Sequence, residues 1–594
     1  MDLKRILLSG IGLSAALAPA ALAQGADFVF RGGAIYTMNE AAPWAHAVVV
    51  EDGAITAVLA AAAEAAPYID ADTEIIDLGG RMLLPGFIDG HTHFASAGAL
   101  INDANLLRVA DDAGLRAEIA RVTGLLAPGE WITGGLWGAY EDWAQGAAAA
   151  DASGRPAERW RPTRRLIDDL TTEHPVFIRS FDRDPARRLY LANALALEAA
   201  ELMASPLPGM ELGLDGTPTG LIDGASPAVA ILEAAVKPKS AARLLDENRA
   251  ALKRLAEAGV VEIHDITNDA QMARYVALQE AGELSVRVWA RADLSRAAEF
   301  NERGLKMGRH PVTGERDLRL RWGAYKGYID GIMGNHSALF FEPYADQPEN
   351  YGHYRHHTSD APDFSTPNME KIYGYLAEAR RGGFVANVHA IGTKGVALML
   401  DTYERLMAEA GQKLEGYRVI HAQVIRPQDF PRFRELGVYA EVNPYHLSDD
   451  MRWMEERIGH ERAKGAYAFR SLIDNGADLV FGSDWPGTNA AEYAVHPAYL
   501  IHAAVNRTTV NHEPKGGWFP EQKITIEEAL RAYTINGARA AFDGETRGSI
   551  EPGKRADLVI LDRNLFDIPP EEILETQVDL TMVDGEIVFR RNSD

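Results

Sequence analysis

The feature of the sequence that most constrains the fold is an apolar run that recurs eight times between residues 81 and 486. Each run has the length and composition of a buried strand, and most are followed by a stretch with helical periodicity. The runs are RMLLPGFIDGHTHF, GVVEIHDI, LSVRVWARADL, RLRWGAYKGYIDG, GGFVANVHAIG, YRVIHAQVI, LGVYAEVNP and ADLVFGSDWP. Apolar strands alternating with helices indicate a parallel sheet buried on both faces, and eight strands close a TIM-like (β/α)8 barrel. An open doubly wound sheet is the alternative that the pattern alone permits.

The two ends of the chain follow a different pattern. Residues 27–80 and the segment from GSIEPGKRADLVILD to LTMVDGEIVF alternate apolar and polar positions, with Asp52-Gly53 and Asp584-Gly585 as predicted hairpin turns. We therefore expect an α/β protein with one small composite β-sandwich domain built from both termini. The predicted divisions are a β domain at residues 24–80 and 546–594, a barrel at 81–545, and a lid-like insertion at about 100–250.

Residues 1–23 are typical of a secretory signal peptide. Lys4 and Arg5 precede an apolar stretch, and Ala21-Leu22-Ala23 provides a small-x-small cleavage site before Gln24. A membrane anchor is the alternative, but the stretch is too short and too rich in alanine and glycine to span a bilayer. We therefore expect an exported protein, periplasmic or secreted after cleavage near Ala23.

Composition restricts the partners and the chemistry of any site. A formal net charge of −25 repels nucleic acid and anionic membranes, so neither is expected as a partner. The absence of cysteine excludes disulfides, thiolate metal ligands and a cysteine nucleophile. A metal would have to be bound by histidine, carboxylate or a modified lysine. The expected partner is a small-molecule substrate, and the sequence leaves open whether the chain forms a homo-oligomer.

Histidines and an aspartate stand where the predicted strands end. His91 and His93 close the first run and, one residue apart, project from the same face of a strand. His389, His421 and Asp484 close three later runs. Taken singly, a histidine pair or a terminal aspartate is more often structural. Because the carboxyl ends of barrel strands meet at one mouth, these five side chains are predicted to bind metal together, and imidazole suits zinc, iron or manganese.

Lys326 lies inside a run that is predicted to be a buried strand. Burial of an unpaired ammonium is unfavourable, but a desolvated lysine becomes a neutral amine, which can add carbon dioxide to form a carbamate. The carbamate is an anion with two oxygens, able to bridge two metal ions and, with Asp484, to offset their charge. The alternative is an ion pair between Lys326 and Asp330.

These residues together resemble the amidohydrolase superfamily, in particular its YtcJ-like branch (amidohydrolase family 3), which includes N-substituted formamide deformylases. The motifs that carry the resemblance are PGFIDGHTH, the strand lysine, VHAIG, IHAQ and GSDWP, with RPTRRLIDDL and DGTPTG in the insertion and GSIEPGKRADLVILD near the end. They extend over nearly the whole chain after residue 23, and the ordered set is far more specific than the histidine pair alone.

The resemblance implies a centre of two divalent metal ions, with zinc expected and manganese or iron as alternatives. The implied ligands are His91 and His93 on one ion, His389 and His421 on the other, carboxylated Lys326 as the bridge, and Asp484 on the first ion. Asp484 is also the implied catalytic residue, because it accepts a proton from water and passes it to the leaving group.

The implied reaction is hydrolysis, by a metal-activated hydroxide, of an amide-like, non-peptide C–N bond in a small organic substrate. Opening of a lactone or cyclic amide, deamination and isomerisation are alternatives at the same site. A relative that keeps the scaffold without catalysis would be expected to have lost ligands, whereas all the implied ligand positions are filled here.

Substrate contacts are predicted at four positions: Trp137, Asn335, His336 and Trp485. The family pattern is not followed everywhere around them. Arg188 stands five residues before Asn193, where the branch commonly has a histidine, and Asn335-His336 replaces a small residue followed by arginine. We therefore expect the substrate to differ from those of the relatives.

Overall fold

The computed structural model describes residues 25–107, 109–138, 160–181, 187–488 and 491–592. The predicted signal peptide at residues 1–23 lies outside the described residues, as do residues 139–159 and 182–186 of the insertion. Within the described ranges, no helix combines the length and the apolar character that a membrane span requires.

The described residues contain strands that we number in chain order. They are β1 Phe28–Tyr36, β2 Trp44–Glu51, β3 Ala54–Leu59, β4 Glu74–Asp77, β5 Met82–Pro85, β6 Phe87–Thr92, β7 Phe177–Arg179, β8 Leu189–Ala192, β9 Met210–Leu212, β10 Pro218–Asp223, β11 Val260–Asp265, β12 Arg287–Asp293, β13 Leu320–Tyr328, β14 Val385–Ala390, β15 Arg418–His421, β16 Tyr439–Val442, β17 Leu479–Phe481, β18 Gly487–Thr488, β19 Ala491–Glu492, β20 Leu558–Leu561, β21 Val578–Val583 and β22 Glu586–Arg590.

The α-helices of the described residues cover the remaining periodic segments. They are Phe94–Asn102, Asp112–Thr123, Ala194–Ala199, Pro227–Ala235, Ala241–Glu257, Asp269–Glu280, Ala297–Glu302, Met369–Arg381, Thr393–Ala410, Phe430–Leu436, Pro444–Asp450, Met454–Ile458, His460–Ala463, Phe469–Asp474, Pro497–Asn506, Ile526–Ala532 and Ile535–Ala540.

Strands from both ends of the chain form one sheet. Its order is β22-β21-β20-β5-β1-β2-β3, and β4 pairs with β1 off this path. The two predicted hairpins are confirmed: β2 pairs with β3, and β21 with β22, both antiparallel. The connecting residues Asp52, Gly53, Asp584 and Gly585 all have positive φ, as this type of turn requires.

The eight middle strands form a parallel sheet in the order β6-β11-β12-β13-β14-β15-β16-β17. The residues after β17 return to β6: the Asp484 amide donates to the His91 carbonyl at 2.8 Å, and the His93 amide donates to the Trp485 carbonyl at 2.8 Å. The first and last strands of an open sheet do not meet in this way. The predicted TIM-like barrel with an additional β-sheet domain is therefore confirmed, and the doubly wound alternative is wrong.

The first predicted run was expected to be one barrel strand, and it is two. Met82–Pro85 is β5 of the terminal sheet, where it pairs with β1 and β20, and only Phe87–Thr92 enters the barrel. Gly86 stands between them, and a Cβ there would lie 2.2 Å from a methyl carbon of Val261. Both halves are buried and apolar, so periodicity could not separate them.

The insertion between β6 and β11 contains its own antiparallel sheet, in the order β7-β8-β10-β9. Two apolar clusters stabilise it, one around Ile178 and Leu191 and the other around Phe177 and Tyr190. The carboxyl end of β7 faces the barrel mouth, because Arg179 and Phe181 line the same cavity as the strand-end histidines. The insertion therefore forms one wall of that cavity.

A buried ion-pair cluster joins the barrel to the terminal sheet. Arg287, at the start of β12, donates to Asp557 at 2.8 and 2.9 Å and also lies 2.9 Å from Asp584. Burial alone would raise the pKa of the Asp557 carboxyl, but Arg287 holds that pKa below its ordinary value. The guanidinium would be left buried and under-compensated if Asp557 lost its charge.

We therefore expect Asp557→Asn to lower the free energy of unfolding by about 3 kcal/mol, measured from the midpoint and slope of a urea titration. The control is Asp169→Asn, because Asp169 pairs with Arg116 on the exposed surface, where ion pairs contribute little. Equal midpoints for the two variants would show that the Asp557 cluster does not stabilise the joint.

Candidate metal centre

The six predicted ligands converge at the mouth of the barrel. The Nε2 atoms of His93 and His91 lie 3.1 and 3.4 Å from Oδ1 of Asp484. The Nζ atom of Lys326 lies 3.4 Å from Nε2 of His91. On the other side the rings of His389 and His421 are 4.6 Å apart, and His421 is 5.2 Å from His91. Residues separated by almost 400 positions in the chain thus share one site.

Hydrogen bonds on the outer side of each ring fix which nitrogen faces the site. Nδ1 of His91 is 2.7 Å from a carboxylate oxygen of Glu441, and Nε2 of His389 is 2.9 Å from the Gly331 carbonyl oxygen. Nδ1 of His421 is 2.7 Å from Oδ1 of Asn443. Each outer partner accepts a hydrogen bond, so the outer nitrogen carries the proton and the other nitrogen has a free lone pair.

The inner lone pair of His91 faces a carboxylate rather than a donor. Oδ1 of Asp484 is buried, and Nε2 of His91 lies 3.4 Å from it. Two acceptors at this distance repel each other unless a cation lies between them. The donor set of imidazole nitrogens and a carboxylate oxygen suits a divalent transition metal, so the residues fit the implied ion.

Burial keeps the histidines in the neutral form that binds metal. It lowers the pKa of His91 to about 3, and Lys326 contributes to that shift. Burial likewise holds the pKa values of His389 and His421 well below the ordinary histidine value. For Asp484, burial would raise the pKa, but His91 and His93 lower it well below the usual range, so its carboxylate is ionised.

Lys326 does not pair with Asp330, so that alternative for the lysine is wrong. The Asp330 carboxylate instead accepts from three backbone amides, those of Leu339, Ile391 and Gly392, at 2.9 to 3.0 Å. Burial lowers the pKa of Lys326 to about 7, so a large share of the amine is neutral at physiological pH. This is the form that reacts with carbon dioxide.

The backbone at two ligand positions has an uncommon conformation. His421 and Asp484 have φ values of 70° and 59°, in the left-handed region that non-glycine residues seldom occupy. His421 is the last residue of β15, and Asp484 lies three residues after the end of β17 at Phe481. The reversal of the chain there turns each side chain inward over the mouth, and strain of this kind is typical of functional sites.

Sequence reasoning missed three residues in and after β16, and the same strand-end argument applied to the first two of them, Glu441 and Asn443. Glu441 and Asn443 hold His91 and His421 through their outer nitrogens. His446, in the helix Pro444–Asp450, is buried beside the centre, with its Nε2 3.4 Å from Oδ2 of Asp484 and no hydrogen-bond partner among the described residues. The string AEVNPYH places these polar residues directly after an apolar run, which was the available signal.

Glu441 is the anionic support of the site. Its carboxylate accepts from Arg291 at 2.5 and 3.1 Å and from Arg418 at 3.0 Å, in addition to its contact with His91. Burial alone would raise its pKa, but Arg291 and His91 hold the pKa well below the usual range. A permanent anion on the outer nitrogen of His91 increases the basicity of its inner nitrogen toward a metal.

The centre forms the floor of a cavity of 710 Å³, a size typical of small-molecule sites. Of the four predicted substrate contacts, only Asn335 lines it. Trp137 and Trp485 are almost fully buried, and His336 lies 2.7 Å from Asp346. Trp137 packs in the insertion, where its neighbours Gly135 and Leu136 reach the cavity instead. Substrate contact by these three side chains stays a prediction from the sequence.

A β/α barrel with neutral histidines, an ionised aspartate and a desolvated lysine at the carboxyl ends of its strands defines a metal-dependent hydrolase. Comparison with protein families agrees with this class. The model of the amidohydrolase family matches residues 74–589, and the chain belongs to that family, as the sequence predicted.

Relatives of known name and structure align over nearly the full length. The chain is 31% identical to Protein LONG AFTER FAR-RED 3 of Arabidopsis thaliana, over 91% of this chain and 88% of that protein. It is 26% identical to the N-substituted formamide deformylase of Arthrobacter pascens, over 95% and 98%. The crystal structure of an uncharacterised metal-dependent hydrolase from Pyrococcus furiosus is similar with a TM-score of 0.66 and 25% identity, over 92% of this chain and 99% of that one.

Proposed function

We propose that this amidohydrolase uses a binuclear centre to hydrolyse a non-peptide, amide-like C–N bond in a small organic substrate. The observation that carries the proposal is the buried Asp484 oxygen facing the inner lone pair of His91, with the desolvated Lys326 amine beside that ring. The name of the deformylase from Arthrobacter pascens favours the same bond class.

The ligand groups divide between two ions. His91, His93 and Asp484 form one set, whose donor atoms lie close enough to bind a single ion. His389 and His421 form the other, and Lys326 lies beside His91 where a carbamate on Nζ would reach toward both. The neutral amine attacks carbon dioxide, a C–N bond forms, and one proton leaves to solvent. Zinc is the proposed metal in both positions.

Bound divalent ions would lower the pKa of a coordinated water to about 7 and polarise the substrate carbonyl. The protein's own contribution is the handling of protons. Asp484 is ionised and buried at the floor of the cavity, so it accepts a proton from water and passes it to the leaving nitrogen. His446 lies 3.4 Å from the other Asp484 oxygen and restricts the position of the carboxylate.

Metal analysis and a substrate screen together test the proposal. Protein reconstituted with zinc or manganese in the presence of bicarbonate is expected to hold close to two equivalents. It is then screened against N-substituted formamides, aryl amides, N-acyl amino acids, carbamates and lactones, and turnover of a C–N substrate is expected. One equivalent would contradict the binuclear centre, and turnover of lactones alone would contradict the bond class.

Export is a separate proposal that rests on residues 1–23. The pattern of Lys4-Arg5, an apolar stretch and Ala21-Leu22-Ala23 supports cleavage before Gln24. N-terminal sequencing of the protein recovered from its native host tests it, and an N-terminus at Met1 would contradict it.

A further inference from the structure

The outer wall of the cavity is cationic in a chain whose net charge is −25. Among the described residues, the arginines that line it are Arg179, Arg188 and Arg355. Apart from Asp484, the carboxyls of the described lining are Asp330 and Asp450. Asp330 accepts from backbone amides, and Asp450 accepts from Gln423 and Tyr467. Contacts within the fold thus occupy both carboxyls, and neither forms an ion pair with Arg179 or Arg355.

Arg355 lies close to the His389 side of the metal centre. Its guanidinium carbon is 5.9 Å from the centre of the Tyr328 ring, and that ring is 5.5 Å from the ring of His389. Its Nε is buried without a hydrogen-bond partner, and it makes no ion pair with any residue in the described ranges. The Nε–H is therefore a desolvated donor that a ligand could satisfy.

The segment that carries Arg355 is fixed to the barrel rim. The Thr358 hydroxyl donates to the Ile329 carbonyl at 2.8 Å, and the Arg355 amide donates to the Thr358 hydroxyl at 3.1 Å. The buried ring of His357 lies 3.1 Å from the carboxylate of Asp293 at the end of β12. The backbone that carries the guanidinium is therefore fixed before any ligand arrives, which reduces the entropy lost on binding.

Arg179 adds positive charge on the wall formed by the insertion. It ends β7 and is half-buried, and it makes no ion pair with a residue in the part of the chain that the structure describes. Its pKa lies below the ordinary arginine value because of burial and the nearby charge of Arg188. Two like charges placed together in a cavity favour an anion between or beside them.

We propose that the substrate carries a carboxylate close to the scissile C–N bond, bound by Arg355, with Arg179 attracting the anion from the wall that the insertion forms. The inference rests on the proposed function and narrows its substrate class to anionic N-acyl compounds. A planar guanidinium with unused donors matches a carboxylate in charge and shape. Binding also supplies the counter-charge that Arg355 lacks.

A matched pair of probes tests this: racemic N-formylphenylalanine and N-formylphenethylamine, which differ only in the carboxylate. For the zinc-loaded wild type we expect kcat/KM to be about 100-fold higher for the anionic probe, as hydrogen bonds to charged groups allow. In Arg355→Gln this ratio is expected to fall at least tenfold, and Arg355→Lys should retain part of it. The control is Arg405→Gln, which removes an arginine paired with Glu370 on the surface and should leave the ratio unchanged.

Calorimetry separates this inference from the proposed function, because it needs no turnover. Metal-free wild type is expected to bind 3-phenylpropionate at least tenfold more tightly than 3-phenylpropan-1-ol, and Arg355→Gln should lose that preference. If both formyl probes are hydrolysed equally and the two ligands bind equally, the anion inference is wrong while the proposed function stands. If neither probe is hydrolysed but the carboxylate preference depends on Arg355, the anion inference stands and the bond class fails.

Discussion

Asp484→Asn is expected to keep the metals and lose about three to four orders of magnitude in kcat, the upper range for removal of a general acid–base group. The amide preserves the shape and one oxygen ligand of the carboxylate, but it cannot accept a proton. The other described carboxyls of the cavity cannot readily replace it, because Asp330 accepts from three backbone amides and Asp450 accepts from Gln423 and Tyr467. Turnover at saturating substrate and the metal content of the same sample are the two measurements.

The matched control is Asp450→Asn. Asp450 is a buried carboxyl of the same cavity and is bonded to Gln423 and Tyr467 rather than to the ligand histidines. We expect it to lower kcat less than tenfold. Because Asp484 is also a predicted ligand, activity is compared at increasing metal concentration. An Asp484→Asn enzyme within tenfold of wild type at full loading would remove the proposed proton role.

The barrel could be predicted because each strand is a continuous apolar run and the runs number eight. A strand that is buried on both faces has no alternation, so its length and apolar character identify it. The same property explains the error at β5. Met82–Pro85 is buried between β1 and β20, and β6 is buried in the barrel, so the two strands read as one run. Only the tertiary path of the chain at Gly86 separates them.

The convergence of the predicted ligands at the barrel mouth could be predicted because they stand at strand ends, where position in sequence determines position in space. Glu441 and Asn443 also stand at a strand end, that of β16, so the same argument could have identified them. His446 lies one helical turn beyond its strand, in Pro444–Asp450, so its direction depends on how that helix packs. No strand-end argument fixes that orientation.

The substrate wall could not be predicted in the same way. Arg179 and Phe181 reach the cavity only because the insertion's sheet packs over the barrel mouth, and Arg355 only because its loop is fixed at Ile329. Such contacts are long-range and leave no periodic signal. Substrate contact was predicted at the aromatic residues Trp137 and Trp485. Trp137 lies instead in the insertion's apolar core, where a large apolar side chain is most stable.

The second large effect is expected from substitution of Lys326. It tests the proposed carbamate bridge rather than the proton transfer by Asp484. Lys326→Ala is expected to reduce bound metal from about two equivalents to one or fewer and kcat by at least about 1000-fold, since both the bridge and the placement of water depend on it. The substitution leaves a small cavity beside His91. Propionate at millimolar concentration can place a carboxylate there, and we expect it to restore part of the metal content and activity.

Lys326→Met provides the matched comparison, because its side chain fills the same space without a nitrogen. It is expected to lose metal equally but to show no response to propionate.

In the wild type, the metal-free protein should take up two equivalents only with bicarbonate present. At a fixed partial pressure of carbon dioxide, the rate of uptake should rise as the pH increases through about 7, because the neutral amine is the reactive form and burial lowers the pKa of Lys326 to about 7. Rapid, bicarbonate-independent uptake of two ions, or rescue of the Met variant, would show that no carbamate joins the two halves of the centre.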